Sequence, residues 1–136
     1  MTPTDDPSGF HYFSTSADDL VVPDEPGIYV ARIPQGIDRK SMLLRSLARE
    51  LKFPDYFGCN FDALEDCLRD FSWLPDCRKI VIIHTGLPMR RNRVSLAAYL
   101  QILSAAVAFW KTDPQLRFDV YFPKPVSSEI ARHLAE

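Results

Sequence analysis

Residues Lys79–His84 read KIVIIH, four consecutive apolar residues between a lysine and a histidine. A strand wetted on one side alternates apolar with polar residues. A strand covered on both faces does not, so this run has the pattern of a central strand in a parallel sheet. Two other runs carry the β-branched and aromatic enrichment of strands: Gly27–Ile33 (GIYVARI) before it and Arg117–Phe122 (RFDVYF) after it. The segments between them have helical spacing. After the turn PQGID, Asp38 or Ser41 is placed to cap a helix through about Lys52. Leu43, Leu44, Leu47 and Leu51 share one face of that helix, and Pro54 ends it. A second helix fits Asn60 to about Phe71, with Asn60 at the N-cap and Asp62 in the first turn. Asn92 or Ser95 opens a third, reaching about Trp110. It is apolar almost all round, so a central, well-covered position is expected. Beyond Pro123 and Pro125, Ser127 or Ser128 caps a short last helix with Glu129 in its first turn.

The order is β-α-α-β-α-β-α. Strands separated by helices pair in parallel through right-handed crossovers. The expected fold class is therefore α/β: a small three-stranded parallel sheet flanked by helices on both faces. Residues 1–26 contain Pro3, Pro7, Pro23 and Pro26 and show no period. They are expected to be an irregular N-terminal arm, dispensable for partner binding, with 27–136 forming a single domain. Phe10, Tyr12 and Phe13 argue that part of the arm packs down rather than staying wet.

A chain of 136 residues, 46% of them apolar and including two Trp, nine Phe and five Tyr, can bury a core without covalent staples. The net charge of -2 gives no whole-molecule attraction to nucleic acid or to an anionic membrane. The start, MTPTDDPSGF, lacks the basic and apolar stretches of a secretory signal, and no window approaches the ~20 apolar residues of a membrane span. A cytoplasmic, membrane-free protein is the expectation. Cys59, Cys67 and Cys77 are odd in number and form no CxxC pair, so neither a disulfide framework nor a zinc site is indicated. We expect reduced thiols, with Cys67 on the core face of the second helix. No metal or other cofactor is implied.

The stretch that bears on function is Leu51–Pro75, LKFPDYFGCNFDALEDCLRDFSWLP. At 100° per residue, Ala63, Leu64, Cys67, Leu68 and Phe71 gather on one side of the second helix, and Asp62, Glu65, Asp66, Arg69 and Asp70 on the other. Phe61 lies on the border, and Asp55 and Tyr56 precede the helix. A charged face is by itself the ordinary solvated side of an amphipathic helix. Three details favour a binding surface. Asp62 and Asp66 stack as like charges at i,i+4, which costs the helix a few tenths of a kcal/mol. Tyr56 and Phe61 place aromatic groups beside the acids. Pro54-Asp55-Tyr56-Phe57-Gly58 is a tight lead-in that holds the helix in position.

This stretch resembles the barstar family of intracellular ribonuclease inhibitors. The shared pattern is filled by Leu51, Pro54, Asp55, Tyr56, Phe57, Gly58, Asn60, Phe61, Asp62, Ala63, Leu64, Asp66, Cys67 and Leu68. The likeness extends more loosely over about residues 27–122. It implies a three-stranded parallel sheet with surrounding helices, and no catalytic residues. It also implies that Tyr56, Phe61, Asp62 and Asp66 face an enzyme. The residue matching Asp66 would take the place of a substrate phosphate among Arg and His side chains. Asp62 would be a second interface acid, and Tyr56 would pack on the catalytic histidine. The implied partner is a cognate secreted ribonuclease or a toxin with a ribonuclease domain, and the free inhibitor is expected to be a monomer. There are departures. The family pattern has Trp where this chain has Glu65, and small uncharged residues where it has Arg69 and Asp70. A family acid on the next helix is replaced by Ala105 or a neighbour. Glu65 and Arg69 are therefore included in the expected partner-binding set, and the partner's rim should differ from the family's reference enzyme.

Three other readings compete with this one. His84 and Thr85 sit at a strand's C-terminal end, where α/β active sites often lie, but no nucleophile-elbow, phosphate-loop or dinucleotide motif accompanies them. Arg90, Arg91 and Arg93 cluster in GLPMRRNR, a run that could touch phosphates; against the modest net charge it reads as a solvated loop without direct nucleic-acid binding. The third, and the main alternative, is an adaptor that keeps the fold but binds a partner other than a nuclease.

Overall fold

The computed structural model describes residues 9–135. Residues 1–8 of the expected arm, and residue 136, lie outside the described residues. The elements run β1 (His11–Phe13), β2 (Ile28–Ile33), α1 (Lys40–Glu50), α2 (Phe61–Leu68), β3 (Lys79–His84), α3 (Arg93–Lys111), β4 (Arg117–Pro123) and α4 (Ser127–Ala135). Short 3-10 turns at Ala17–Asp19 and Lys124–Val126 complete the chain.

All pairings in the sheet are parallel, in the order β1-β4-β3-β2. KIVIIH is the inner strand its composition requires. Ile80, Val81, Ile82 and Ile83 are all at most 2% exposed, and burying each such side chain is worth ~1.5–3 kcal/mol. Ile80 and Ile82 join Ala31, Ile33, Phe118, Val120 and Phe122 in the main core, to which all four α-helices contribute. Val81 and Ile83 face the other way, into a smaller cluster with Phe13 and Ala17.

Two expectations are corrected here. The sheet has four strands among the described residues, not three, because His11–Phe13 in the arm pairs with Tyr121–Pro123 of β4. Among the described residues no α-helix packs on the second face. A single 3-10 turn covers it, together with Leu20 and Val22 packed on Val81 and Ile83. Arg32 of β2 ties this cover down, its guanidinium donating to the carbonyls of Ala17 (3.1 Å) and Leu20 (2.7 Å). The arm is bound to the main core as well. The Phe10 ring lies 5.3 Å from that of Phe122. Gly9 has φ +77, and a Cβ there would come within 2.8 Å of Val107. His11 Nε2 sits 3.0 Å from Asp119, whose other oxygen accepts from Arg117 at 2.9 Å. Burial pushes the Asp119 carboxyl up, but these two partners outweigh it and hold it below its ordinary value.

α3 needs a further correction. Its 19 residues, with mean hydropathy 1.4 over the most apolar window, are long and apolar enough to cross a membrane, which no window was expected to be. Here it packs between α2 and α4 and on β4, and Leu96, Tyr99, Leu100 and Leu103 are fully buried. Its cover is one-sided rather than complete: Val94 is 82% exposed and Phe109 42%.

Candidate partner-binding surface

The lead-in to α2 is built from aromatic packing and backbone bonds. Leu51 closes α1, and Lys52 follows in the left-handed region at φ 55. Phe53 then stacks edge-on against Phe57 (4.8 Å) and Trp73 (5.6 Å), and Trp73 donates its indole N–H to the Leu51 carbonyl at 3.1 Å. The Phe57 N–H closes a turn on Pro54 O at 2.9 Å. Tyr56, at the tip of this turn, is left 77% exposed.

Asn60 caps α2 as expected, its side-chain oxygen accepting from the Ala63 N–H at 2.7 Å. Leu64, Cys67 and Leu68 turn inward, and burial pushes the Cys67 thiol up to about 11, with Asp70 and Asp66 adding to the shift. All three thiols are free. The far end is pinned by Trp110 of α3, which donates to the Leu68 carbonyl at 2.7 Å. The helix stops there rather than at Phe71. The Arg69 N–H folds back onto Asp66 O and Cys67 O, and Asp70 accepts from the Ser72 N–H at 3.2 Å. Phe71 then takes φ 57 and turns into the core against Trp73, Trp110 and Phe118. An aromatic residue reaches the core here by leaving the helix, which periodicity alone does not anticipate.

With both ends and one side of α2 fixed, its outward face is set. Asp62, Asp66, Arg69 and Asp70 are exposed, and Glu65 is half-buried. Arg69 bonds Glu65 at 3.4 Å across one turn, and its guanidinium also lies 5.9 Å from the ring of Phe109 on α3. Asp55, Asp62 and Asp66 have no ion pair among the described residues. The face therefore divides into a self-neutralised pair, Glu65–Arg69, and unpaired carboxylates beside it. Phe61 is half-buried against the core, with the Lys40 ammonium 5.2 Å from its ring. Of the six residues singled out in the sequence, Asp62, Glu65, Asp66 and Arg69 thus share one helix face. Phe61 sits at the start of that helix, and Tyr56 on the turn before it. Lys40 and Phe109 also belong to this surface. They come from α1 and α3, and the sequence carries no local sign that they meet α2.

The competing locations look different. His84 is fully buried, bonded to Tyr99 and to the Tyr121 carbonyl and stacked 3.9 Å from Phe122. That is the environment of a core histidine. Among the described residues no group of His, Cys, Asp and Glu is arranged to hold a metal ion.

No curated protein matches the chain. The model of the Barstar family, described as barstar (barnase inhibitor), matches residues 30–122. The match begins inside β2, takes in α1, α2, β3 and α3, and ends in β4. It thus contains the whole α2 surface and well over half of the sequence, and the chain belongs to the barstar (barnase inhibitor) family.

Proposed function

We propose that the protein is a ribonuclease inhibitor of the immunity type. In this reading α2 inserts its acidic face into the cationic active site of a cognate secreted ribonuclease, or of a toxin with a ribonuclease domain. The observation that carries the reading is the pair of exposed, unpaired carboxylates at Asp62 and Asp66, on a helix fixed at both ends. A ribonuclease must stabilise a phosphoryl transition state with cations. Carboxylates on a fixed helix satisfy such cations through charge-assisted hydrogen bonds, with little backbone ordering left for the inhibitor to undergo. Complementary charge also speeds the encounter. Asp66 takes the place of a substrate phosphate, Asp62 engages a neighbouring cation, and Tyr56 lays its ring on the enzyme's catalytic histidine.

Glu65 and Arg69 depart from the family pattern and set partner choice. The Glu65–Arg69 pair offers the rim of the enzyme a charged, self-satisfied patch where the family offers Trp and a small residue. The family is described by its barnase inhibitor, and in this reading the chain inhibits and does not catalyse. The inhibitor acts in the cytoplasm as a monomer, guarding the cell against the nuclease. Purification of the tagged protein with its bound partner tests this reading. A ribonuclease whose RNA cleavage stops at one equivalent of inhibitor is the expected result. A tight partner without nuclease activity would leave the adaptor reading in its place.

A further inference from the structure

The arginine-rich loop before α3 plays no part in the α2 surface. Its side chains meet α4 around a cavity of about 290 Å³ lined by Arg90, Arg93, Glu129, Arg132 and His133. Arg90 grips Glu129 through its fork, with Nη2 2.8 Å from Oε1 and Nε 3.2 and 3.3 Å from the two oxygens. That bond holds the Glu129 carboxyl below its ordinary range, so the only carboxylate in the lining is already neutralised. Arg93 and Arg132 remain, exposed and without an ion pair among the described residues. Arg93 is the first residue of the 19-residue α3, whose N-terminus adds partial positive charge.

His133 supplies an independent observation. It is only 7% exposed and lines the cavity, yet it makes no hydrogen bond or ion pair with any described residue. An imidazole with no hydrogen-bond partner of its own, beside two unpaired guanidiniums in one cavity, completes a donor set suited to an anion. We propose that this cavity binds the phosphate group of a small phosphate monoester, held by Arg93 and Arg132 with His133 donating from its ring. At about 290 Å³ the cavity holds a phosphate together with part of the group attached to it. Arg90, committed to Glu129, braces the wall. The site stands apart from the α2 surface and does not depend on how that surface is used.

The test is a titration of the native protein with inorganic phosphate, and separately with a nucleoside 5′-monophosphate, followed by amide and imidazole NMR signals. Saturable shifts centred on Arg93 and Glu129–His133 are expected with both probes. The Arg93→Gln/Arg132→Gln variant changes two exposed side chains and should keep the rest of the spectrum, while weakening both probes by about tenfold or more. Shifts reproduced by sodium chloride at equal ionic strength would overturn the proposal, as would equal binding by the variant. Binding of an RNA oligonucleotide with no response to either monoester would also overturn it, because the arginines would then attract a polyanion rather than form a phosphate site.

Discussion

The Tyr99 hydroxyl donates a 2.7 Å hydrogen bond to Nε2 of His84, and both side chains are fully buried. The direction follows from Nδ1, which lies 3.0 Å from the Tyr121 carbonyl; a carbonyl can only accept, so Nδ1 carries the proton and Nε2 is left to accept from Tyr99. The ring is therefore a neutral imidazole with its proton on Nδ1, and burial, partly opposed by the Tyr121 bond, takes its pKa from 6.5 to about 4. The unfolded chain binds this proton first as pH falls. The contribution to stability is complete above pH 6.5, declines as pH drops toward 4, and is constant below that. The span corresponds to about 3 kcal/mol. Urea unfolding between pH 7.5 and 4 should show the decline, and His84→Gln should flatten it. At neutral pH, Tyr99→Phe strands an acceptor in the core and should cost ~1–3 kcal/mol. An unchanged pH slope in the His84 variant would place the acid sensitivity elsewhere.

The arm makes a second prediction, about stability rather than the partner binding for which the sequence makes it dispensable. Phe13 is 8% exposed and Phe10 4%, and Arg32 bonds two arm carbonyls. Deleting residues 1–22 strips the cover from Val81 and Ile83 and the pairing from β4. The truncated protein should lose several kcal/mol, and Phe13→Ala alone should cost ~3–5 kcal/mol. The urea midpoint measures both. A truncation with an unshifted midpoint would mean that the arm contributes no stability.

The strand in the arm and the strands of the inner sheet differ in where their information lies. KIVIIH declares two-sided burial within six residues, and the Asn60 cap and the leucine face of α1 are equally local. The pairing of β1 is not. His11 meets Asp119 across 108 positions of sequence, and HYF is too short, among too many prolines, to announce a strand. The end of α2 was hidden for a related reason. Phe71 fits the helical period, but the core it fills is made by Trp73, Trp110 and Phe118, and the chain leaves the helix to reach it. On the candidate surface, the acids and Arg69 are legible because they share a helix. Lys40 and Phe109 join only through the packing of α1 and α3 around α2.

Asn60 links the fold to that surface. Its side chain satisfies the Ala63 N–H at the start of α2. Asn60→Ala should lower stability by ~1 kcal/mol, and Asn60→Asp should be nearly neutral. Thermal melts of the two variants decide it. Equal losses in both would show that the cap bond is not the cause.

The cysteines should react in order of access. Cys59 is exposed, Cys77 is intermediate, and Cys67 is buried with its thiol pushed up to about 11. Thiolates rather than thiols are the nucleophiles. Iodoacetamide on native protein should therefore label Cys59 first and Cys67 last, as read by peptide mass. Early labelling of Cys67 would mean that α2 opens readily.

Asp66 bears most directly on the proposed function. It is exposed in the middle of α2, one turn after Asp62 and opposite the buried Leu64, Cys67 and Leu68. Removing its carboxylate leaves the core untouched, so stability should move by less than ~0.5 kcal/mol, and relief of repulsion with Asp62 could raise it. Binding should respond differently. If Asp66 sits among desolvated cations in a nuclease site, Asp66→Ala leaves those cations buried and unpaired, at a cost of ~2–5 kcal/mol in affinity. Asp62→Ala should cost less, because it lies nearer the start of the helix. Glu65→Ala should cost least, because Glu65 is already satisfied by Arg69. The measurement is the Kd of each variant for the cognate nuclease, taken beside its melting temperature. An Asp66→Ala protein with both values unchanged would move the interface off α2, and the inhibitory mechanism proposed for this helix would fall with it.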